Sequence, residues 1–335
     1  MKFLRVALIG CGIISEWHIR AYKEHADRAK ITVCCDTDIE RAKQKAELAG
    51  GAKAVASFGE VLADPDVDAV EIATPHYLHC QEVVAAAKAG KQILCQKPLA
   101  KTLEECDIMI AAARDAGVTL FYGEMNRTLP AAIKAKEVVD SGRIGRLIGM
   151  HGVAAHWQGG DYLNTAWRYD PTITGGGQLL DGGIHALDIL LHVGGQVKEI
   201  SCYTHRFREE LGGEDTSVVA ARFAGGHLGS LFSSQACGMW HPGAYFTAFG
   251  TEGLITLGGT PAPRGLVLHR PDLPDRHEVL LESSGDPFVA MIGHYLDTVL
   301  DGAPNLSPPE VGRETLRVIL AAYEAERLGK SISLD

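Results

Sequence analysis

A glycine turn near the start of the chain constrains its fold more than any other feature. The β-rich run from residue 3 to residue 9 (FLRVALI) ends at Gly10-Cys11-Gly12-Ile13-Ile14-Ser15, and a helical stretch follows to about Ala29. A second apolar run, ITVCCD, ends at Asp36. A glycine in the first position permits the tight turn, and one in the second lets the backbone come close to a pyrophosphate. The helix that opens there presents N–H groups and the positive end of its dipole to an anion. A carboxylate at the end of the second strand accepts hydrogen bonds from ribose hydroxyls and repels a 2′-phosphate. Gly10, Gly12, Ile13, Ile14 and Asp36 are therefore expected to hold a dinucleotide. NAD is expected rather than NADP, because Thr37 stands where an arginine would accommodate the extra phosphate. Ser15, in place of a third glycine, predicts slightly looser packing of helix on strand.

The alternation continues. A helix is expected over Ile39–Leu48, a strand (AVEIAT) ending at Thr74, and a helix from about Leu78 to Ala89 closed by Gly90. The strand QILCQ, a helix over Leu103–Ala116 closed by Gly117, and the strand VTLFYG follow. Glycines closing helices and nearly all-apolar strands point to a parallel, doubly wound sheet covered on both faces, a Rossmann unit over residues 1–124. Over residues 125–335 the rhythm changes. A helix at Ala131–Ser141 precedes the runs LIGMHGVAAHW, KEISCYTH, SVVAARF, HLGSLFSSQ, AYFTAFG, GLITL and GLVLH, several joined by short glycine turns. These predict a C-terminal α+β domain with a large open, mostly antiparallel sheet. Further helices are expected at Leu179–His192, Val289–Leu300 and Pro309–Leu328. Two domains suit a chain of 335 residues.

Composition narrows the partners. The chain has 32 basic and 42 acidic residues, a net charge of -10, and no basic stretch. Nucleic acid and anionic membrane surfaces are not expected to bind it. No run reaches the roughly 18 apolar residues of a membrane span. Arg5 breaks the first apolar run, which argues against a secretion signal. The eight cysteines form no C-x-x-C pair and sit mostly in apolar runs, so buried, reduced thiols are expected and no metal site. Together these features predict a cytoplasmic protein.

Two constellations carry chemistry. Gln96-Lys97-Pro98 closes a parallel strand, at the end that faces the ligand crevice of such sheets. A lysine there can donate to a substrate oxygen, although an ordinary surface lysine has the same sequence. The second is Gly175-Gly176-Gly177-Gln178-Leu179-Leu180-Asp181-Gly182-Gly183-Ile184-His185-Ala186-Leu187-Asp188. Asp181 and His185 are four apart and share a helix face, which Asp188 continues. A histidine so placed can take a hydroxyl proton, with a carboxylate to orient it or to hold a neighbouring hydroxyl. The same spacing suits a polar seam inside the core or, with His192, a metal site. Two glycines inside a helix cost about 1 kcal/mol each, which points to a reason beyond packing. Thr74-Pro75-His76 either lines the cofactor crevice or initiates a turn. Trp167-Arg168 closes the pocket, holds an anionic group, or is a surface pair. Asn126-Arg127 lies where the domains meet in sequence, as substrate contact or hinge.

Taken together, these segments resemble the Gfo/Idh/MocA family of glucose-fructose oxidoreductases, inositol dehydrogenases and rhizopine-catabolism enzymes. The resemblance rests on GCGIIS, the strand-end Asp36, TPHYLH with His79, the lysine-proline segment from Ala89 to Ala100, and GGGQLLDGGIHALD, and it covers nearly the whole chain. It implies an NAD(P)-dependent dehydrogenase moving a hydride between a secondary alcohol of a sugar or cyclitol and the nicotinamide. Lys97 is then expected to contact the substrate hydroxyl and the nicotinamide ribose, His185 to be the acid/base, and Asp181 to bind the sugar. Thr74, Pro75, His76, His79 and Gln96 join the expected cofactor contacts. Asn126, Arg127, Trp167 and Arg168 join Lys97, Asp181 and His185 as expected substrate contacts. The resemblance further implies a homodimer or homotetramer formed through the C-terminal sheet. Two departures stand out: Gln96 where the family usually has glutamate, which removes a negative charge beside Lys97, and His76 where it often has asparagine. An NAD-recycling glycosidase or lyase working through a keto sugar uses the same residues. A sugar- or NAD-sensing regulator and a metal-dependent isomerase are the remaining alternatives.

Overall fold

The structure, a computed structural model, describes residues 3–157, 159, 167, 170–258 and 265–334. The chain divides into two compact units, Met1–Met125 with Asp286–Glu314, and Asn126–Gly285 with Thr315–Asp335.

The first unit runs β1 (Leu4–Ile9), α1 (Ser15–Glu24), β2 (Ala29–Cys35), α2 (Ile39–Leu48), β3 (Lys53–Val55), α3 (Phe58–Ala63), β4 (Ala69–Ile72), α4 (His79–Lys88), β5 (Gln92–Gln96), α5 (Leu103–Ala116) and β6 (Leu120–Gly123). Its strands are all parallel, in the order β3-β2-β1-β4-β5-β6. The order reverses between β1 and β4, so the crevice at their carboxyl ends is the binding position of such a sheet. Leu4, Val6, Leu8, Val70, Ile72 and Leu94 are fully buried, which is why these strands carry no polar alternation. Asp38 caps α2 by accepting from the N–H groups of Glu40 and Arg41, and Thr102 caps α5 through Glu105 N–H. Gly117 closes α5 at φ +68°. The elements β3 and α3 fall where the sequence pattern shows none. The edge strand β3 has three residues, of which Val55 alone is buried, too few to display a period. Helix α1 ends at Glu24, five residues before the expected end, and the chain then turns into β2.

The second unit contains α6 (Pro130–Asp140), β7 (Leu147–Ala155), α7 (Pro171–Thr174), a π-helical turn at Leu179–Gly183 leading into α8 (Ile184–Gly194), β8 (Val197–His205), β9 (Thr216–Phe223), β10 (Leu228–Ser234), β11 (Phe246–Gly250), β12 (Leu254–Leu257), β13 (Leu266–His269) and β14 (His277–Leu281). The chain then passes through α9 (Pro287–Asp301) and α10 (Pro309–Leu328) and ends in β15 (Ile332–Ser333). Among the described residues the sheet has nine strands, in the order β14-β13-β12-β11-β7-β10-β9-β8-β15. Neighbours are antiparallel except β7 and β10, which are parallel. One face is covered by α8 and α6 and buries Met150, Val219, Leu231 and Ile255. The other carries a row of apolar side chains, with Tyr203 opposite Val218, Val218 opposite Phe232, and Phe232 opposite Val153. Tyr203 is 75% exposed.

The expected domain 125–335 is corrected at α9. Phe288, Met291, Ile292, Tyr295 and Leu296 join the core of the first unit with Ile19 and Tyr22 of α1. Arg28 reinforces this through Asp297 and Asp301. An amphipathic stripe says that a helix has a partner, not which one. All eight cysteines are free, six of them buried. No helix among the described residues is long and apolar enough to cross a membrane.

Candidate active site

The glycine turn is built as the sequence pattern requires. Gly10 adopts φ +90°, and a Cβ there would stand 2.8 Å from the Ala73 carbonyl group and 2.9 Å from Thr74 N, so the strand-end segment after β4 presses directly on the turn. Around Gly12, by contrast, no atom of the chain lies within 4 Å of where a Cβ would stand. Ser15 is fully buried and donates a 2.5 Å hydrogen bond to Gly12 O, so the serine closes the turn where looser packing was expected. Asp36 accepts from Cys11 N–H at 2.8 Å on one oxygen and from Asp38 N–H at 2.9 Å on the other. A carboxylate has about four acceptor positions, so it retains capacity for two ribose hydroxyls. The open space over Gly12 at a helix N-terminus, with this carboxylate, fits a dinucleotide. Ile13 is 46% exposed beside it and Ile14 packs against the first core.

A second cluster lies at the carboxyl ends of β4 and β5. Thr74 and Pro75 are half-buried and His76 is buried. The Thr74 hydroxyl donates to Glu82 Oε2 at 2.6 Å. Burial pushes the Glu82 carboxyl up to about 7, while the bond from Thr74 works against that rise. Gln96 is buried at the end of β5, and its Nε2 has no hydrogen-bond partner among the described residues. Lys97 follows, half-buried, joined to Pro98 by a cis peptide bond. His79 corrects an expectation: it is fully buried, with its ring nitrogens facing the carbonyl oxygens of Thr74, Pro98 and Leu99. A ring enclosed in this way does not touch a ligand, so any effect it has on the cofactor is exerted through the backbone.

In the second unit, Asp181 lies in the π-helical turn and His185 near the start of α8, both half-buried. π-turns insert an extra residue into a helix and recur at functional sites. Asp188 lies three residues beyond His185 on α8. It is fully buried, held by the Arg127 guanidinium at 2.9 and 3.0 Å and by the Thr315 hydroxyl at 3.0 Å. Arg127, expected to contact substrate, is therefore corrected: its guanidinium also lies 3.0 Å from His192 Nδ1 and is committed to this network. Burial and the Arg127 charge pull His192 down to about 4. Of the residues in the metal alternative, Asp188 is taken up by Arg127 and Thr315, and His192 faces Arg127 through Nδ1. Asn126 is half-buried at the start of this unit. Trp167 is half-buried, and Arg168 lies outside the described residues.

The second glycine run has a reason that sequence reasoning missed. A Cβ on Gly176 would meet the Tyr323 hydroxyl at 2.5 Å, and one on Gly177 would collide with the Glu214 backbone and carboxylate. Glu214 accepts from Leu179 N–H at 2.9 Å and from the Tyr323 hydroxyl at 2.8 Å, and Tyr323 accepts from Gly177 N–H at 3.2 Å. A Cβ on Gly183 would crowd Ser233 and Leu179, whereas one on Gly182 would meet only the flexible end of the Gln178 side chain. Close packing thus accounts for Gly176, Gly177 and Gly183, for the last of which a reason beyond packing was sought. Glu214 lies 35 residues from Leu179 and Tyr323 lies 146 from Gly177, with nothing local to announce them.

Comparison with known proteins follows the same division. Residues 4–124 match the model of the oxidoreductase family with an NAD-binding Rossmann fold, and residues 132–256 match that of the GFO/IDH/MocA C-terminal domain. A 1,5-anhydro-D-fructose reductase from Ensifer adhaerens is 35% identical over 75% of this chain and 74% of its own. This chain belongs to the GFO/IDH/MocA oxidoreductase family. A scyllo-inositol 2-dehydrogenase (NAD(+)) from Bacillus subtilis is 27% identical over 99% of this chain and 96% of its own. The WlbA dehydrogenase of Bordetella pertussis, solved with NADH and UDP-GlcNAcA, superposes with a TM-score of 0.84 at 26% identity, covering 99% of each chain. As a member of the GFO/IDH/MocA family the chain is an oxidoreductase with an NAD-binding first unit. Within that family frame the structure adds Arg41, whose guanidinium reaches 3.7 Å from Asp36 and 3.6 Å from Asp38. It was missed because it lies on α2, beyond the strand-end motif.

Proposed function

We propose that this protein oxidises a secondary alcohol of a neutral sugar or cyclitol with NAD. His185 takes the hydroxyl proton, Lys97 donates to the oxygen as charge develops on it, and Asp181 holds a neighbouring hydroxyl. When bound, the nicotinamide accepts the hydrogen that leaves the alcohol carbon with its bonding electrons. The observation that carries the reading is the contrast along one helical segment: Asp188 is sealed into a network with Arg127, while Asp181, in the π-turn, and His185, at the start of α8, are only half-buried. A neutral substrate is favoured because Arg127, the described arginine best placed in sequence for an acid sugar, is already neutralised by Asp188. NAD is favoured over NADP because Asp36 and Asp38 outnumber the single Arg41 guanidinium beside them. The relatives' substrates, an anhydro sugar and an inositol, are of the proposed class.

A screen of NAD reduction at 340 nm over neutral sugars, inositols and sugar acids tests this. His185→Ala is expected to lower turnover on the best substrate by about 10²–10⁴ with little change in NAD affinity. Near-full activity in that variant removes His185 from the role. The apolar row Tyr203–Val218–Phe232–Val153, on the sheet face opposite α8 and α6, supports a second copy of this chain as its partner. Phe232→Glu is then expected to shift the sedimenting species to monomer, and an unchanged sedimentation coefficient would count against that face.

A further inference from the structure

The β4–β5 ladder ends at the pair Ile72–Cys95. Thr74 and Lys97 each lie two residues beyond it, where the sheet no longer sets their separation. The first turn of α4 takes over that task. His79 Nε2 lies 3.0 Å from the Thr74 carbonyl oxygen, and Nδ1 lies 3.0 Å from that of Pro98 and 3.3 Å from that of Leu99. Three residues on, and so on the same side of the helix, Glu82 accepts the Thr74 hydroxyl. Thr74 in turn abuts Gly10 of the glycine turn. A continuous path of contacts therefore runs from Gly10 through Thr74 and the His79 ring to Pro98, the residue bonded to Lys97.

We propose that His79 and Glu82 form a bracket that sets the position of Lys97 relative to Thr74 and the glycine turn, so that both are positioning residues for the reaction. The proposal rests on the reading of Lys97 as the group that meets the substrate oxygen. Carbonyl oxygens only accept, so each contact needs a ring N–H, and the ring links both segments with full strength when both nitrogens carry protons. Burial pulls the His79 ring below its ordinary value, and the carbonyls of Thr74, Pro98 and Leu99 oppose that, as does the Glu105 carboxylate on α5. Above that lowered value the neutral ring keeps one N–H, so it donates to one segment and packs against the other, and an apolar ring in the same space would fill it without donating to either.

The full-length protein carrying His79→Phe is compared with wild type by hydrogen exchange, which needs no substrate. Exchange is expected to rise about tenfold in both 73–78 and 96–101, with β1 and β2 as protected as in wild type. If that variant does not fold, His79→Gln, which keeps one amide donor, is read in the same way for a smaller rise. In turnover, His79→Phe is expected to lose about 10²-fold in kcat with KM changed little, as a misplaced group does. Lys97→Met should lose as much, and the double variant no more than Lys97→Met alone, because both act through one group. Loosening of one segment only, or of neither, overturns the bracket, as does additivity of the two losses. If both segments loosen while Lys97→Met keeps wild-type turnover, the bracket stands as a link and the assignment of Lys97 falls.

Discussion

Gly12 in the first unit and Gly177 in the second both stand just before a helix, yet a Cβ on each would meet opposite surroundings. At Gly12 it would meet nothing of the chain within 4 Å. At Gly177 it would strike the Glu214 backbone, with Tyr323 a residue away at Gly176. The first glycine keeps space for a ligand, and the second gives its space to the protein's own side chains. A carboxyl at least half removed from water backs each segment. Glu214 receives Leu179 N–H and the Tyr323 hydroxyl at the start of the helix that carries Asp181 and His185, and burial still raises it above the usual carboxylate range. Glu82 receives the Thr74 hydroxyl behind Gly10 and is also raised by burial. The comparison teaches that a glycine run marks close approach without naming what approaches.

The sharpest way to break this comparison is Gly177→Ala. The helix start must move away from Glu214, and the expected cost is about 3–5 kcal/mol, read as a lower denaturation midpoint or lost recovery of folded protein. A variant as stable as wild type would mean that the crowding is relieved at little cost. Gly12→Ala should do the reverse. Stability is expected to stay within about 0.5 kcal/mol, while NAD affinity by calorimetry drops about 10²-fold, roughly 2.7 kcal/mol. Unchanged affinity would show that the open space is not the pyrophosphate cradle. The smallest effect concerns Glu82. Its carboxyl is raised from 4.5 to about 7, so the stability tied to its protonation is fully present below about pH 4.5 and is lost as pH rises through 7. Between pH 6 and pH 8 the first unit is expected to lose about 1 kcal/mol from this group. Glu82→Gln should flatten that part of the denaturation-against-pH curve, and an equally steep curve would place the raised carboxyl elsewhere.

The first glycine turn was legible because strand, turn, helix and acid lie within 33 residues and each imposes its own local requirement. The parallel sheet and most of the second sheet were legible for the same reason, through apolar runs and glycine stops. The elements β3, β14 and β15 were not: β3 and β15, with three and two residues, are too short to show a period, and β14 has no buried residue to mark one. Arg127 and His79 have the composition of site residues, and nothing near them in sequence says that Asp188 and three carbonyl oxygens claim them.

By itself the sequence determined the two sheet types, the dinucleotide turn, the lysine–proline corner and the helix bearing Asp181 and His185. Each depends on backbone geometry and periodicity acting over a few residues. Only the tertiary structure decided which polar groups stay available for chemistry and which are spent inside, and to which unit α9 belongs. Those outcomes depend on contacts between residues tens to hundreds of positions apart, where burial converts a polar side chain from a possible ligand contact into an obligatory internal partner.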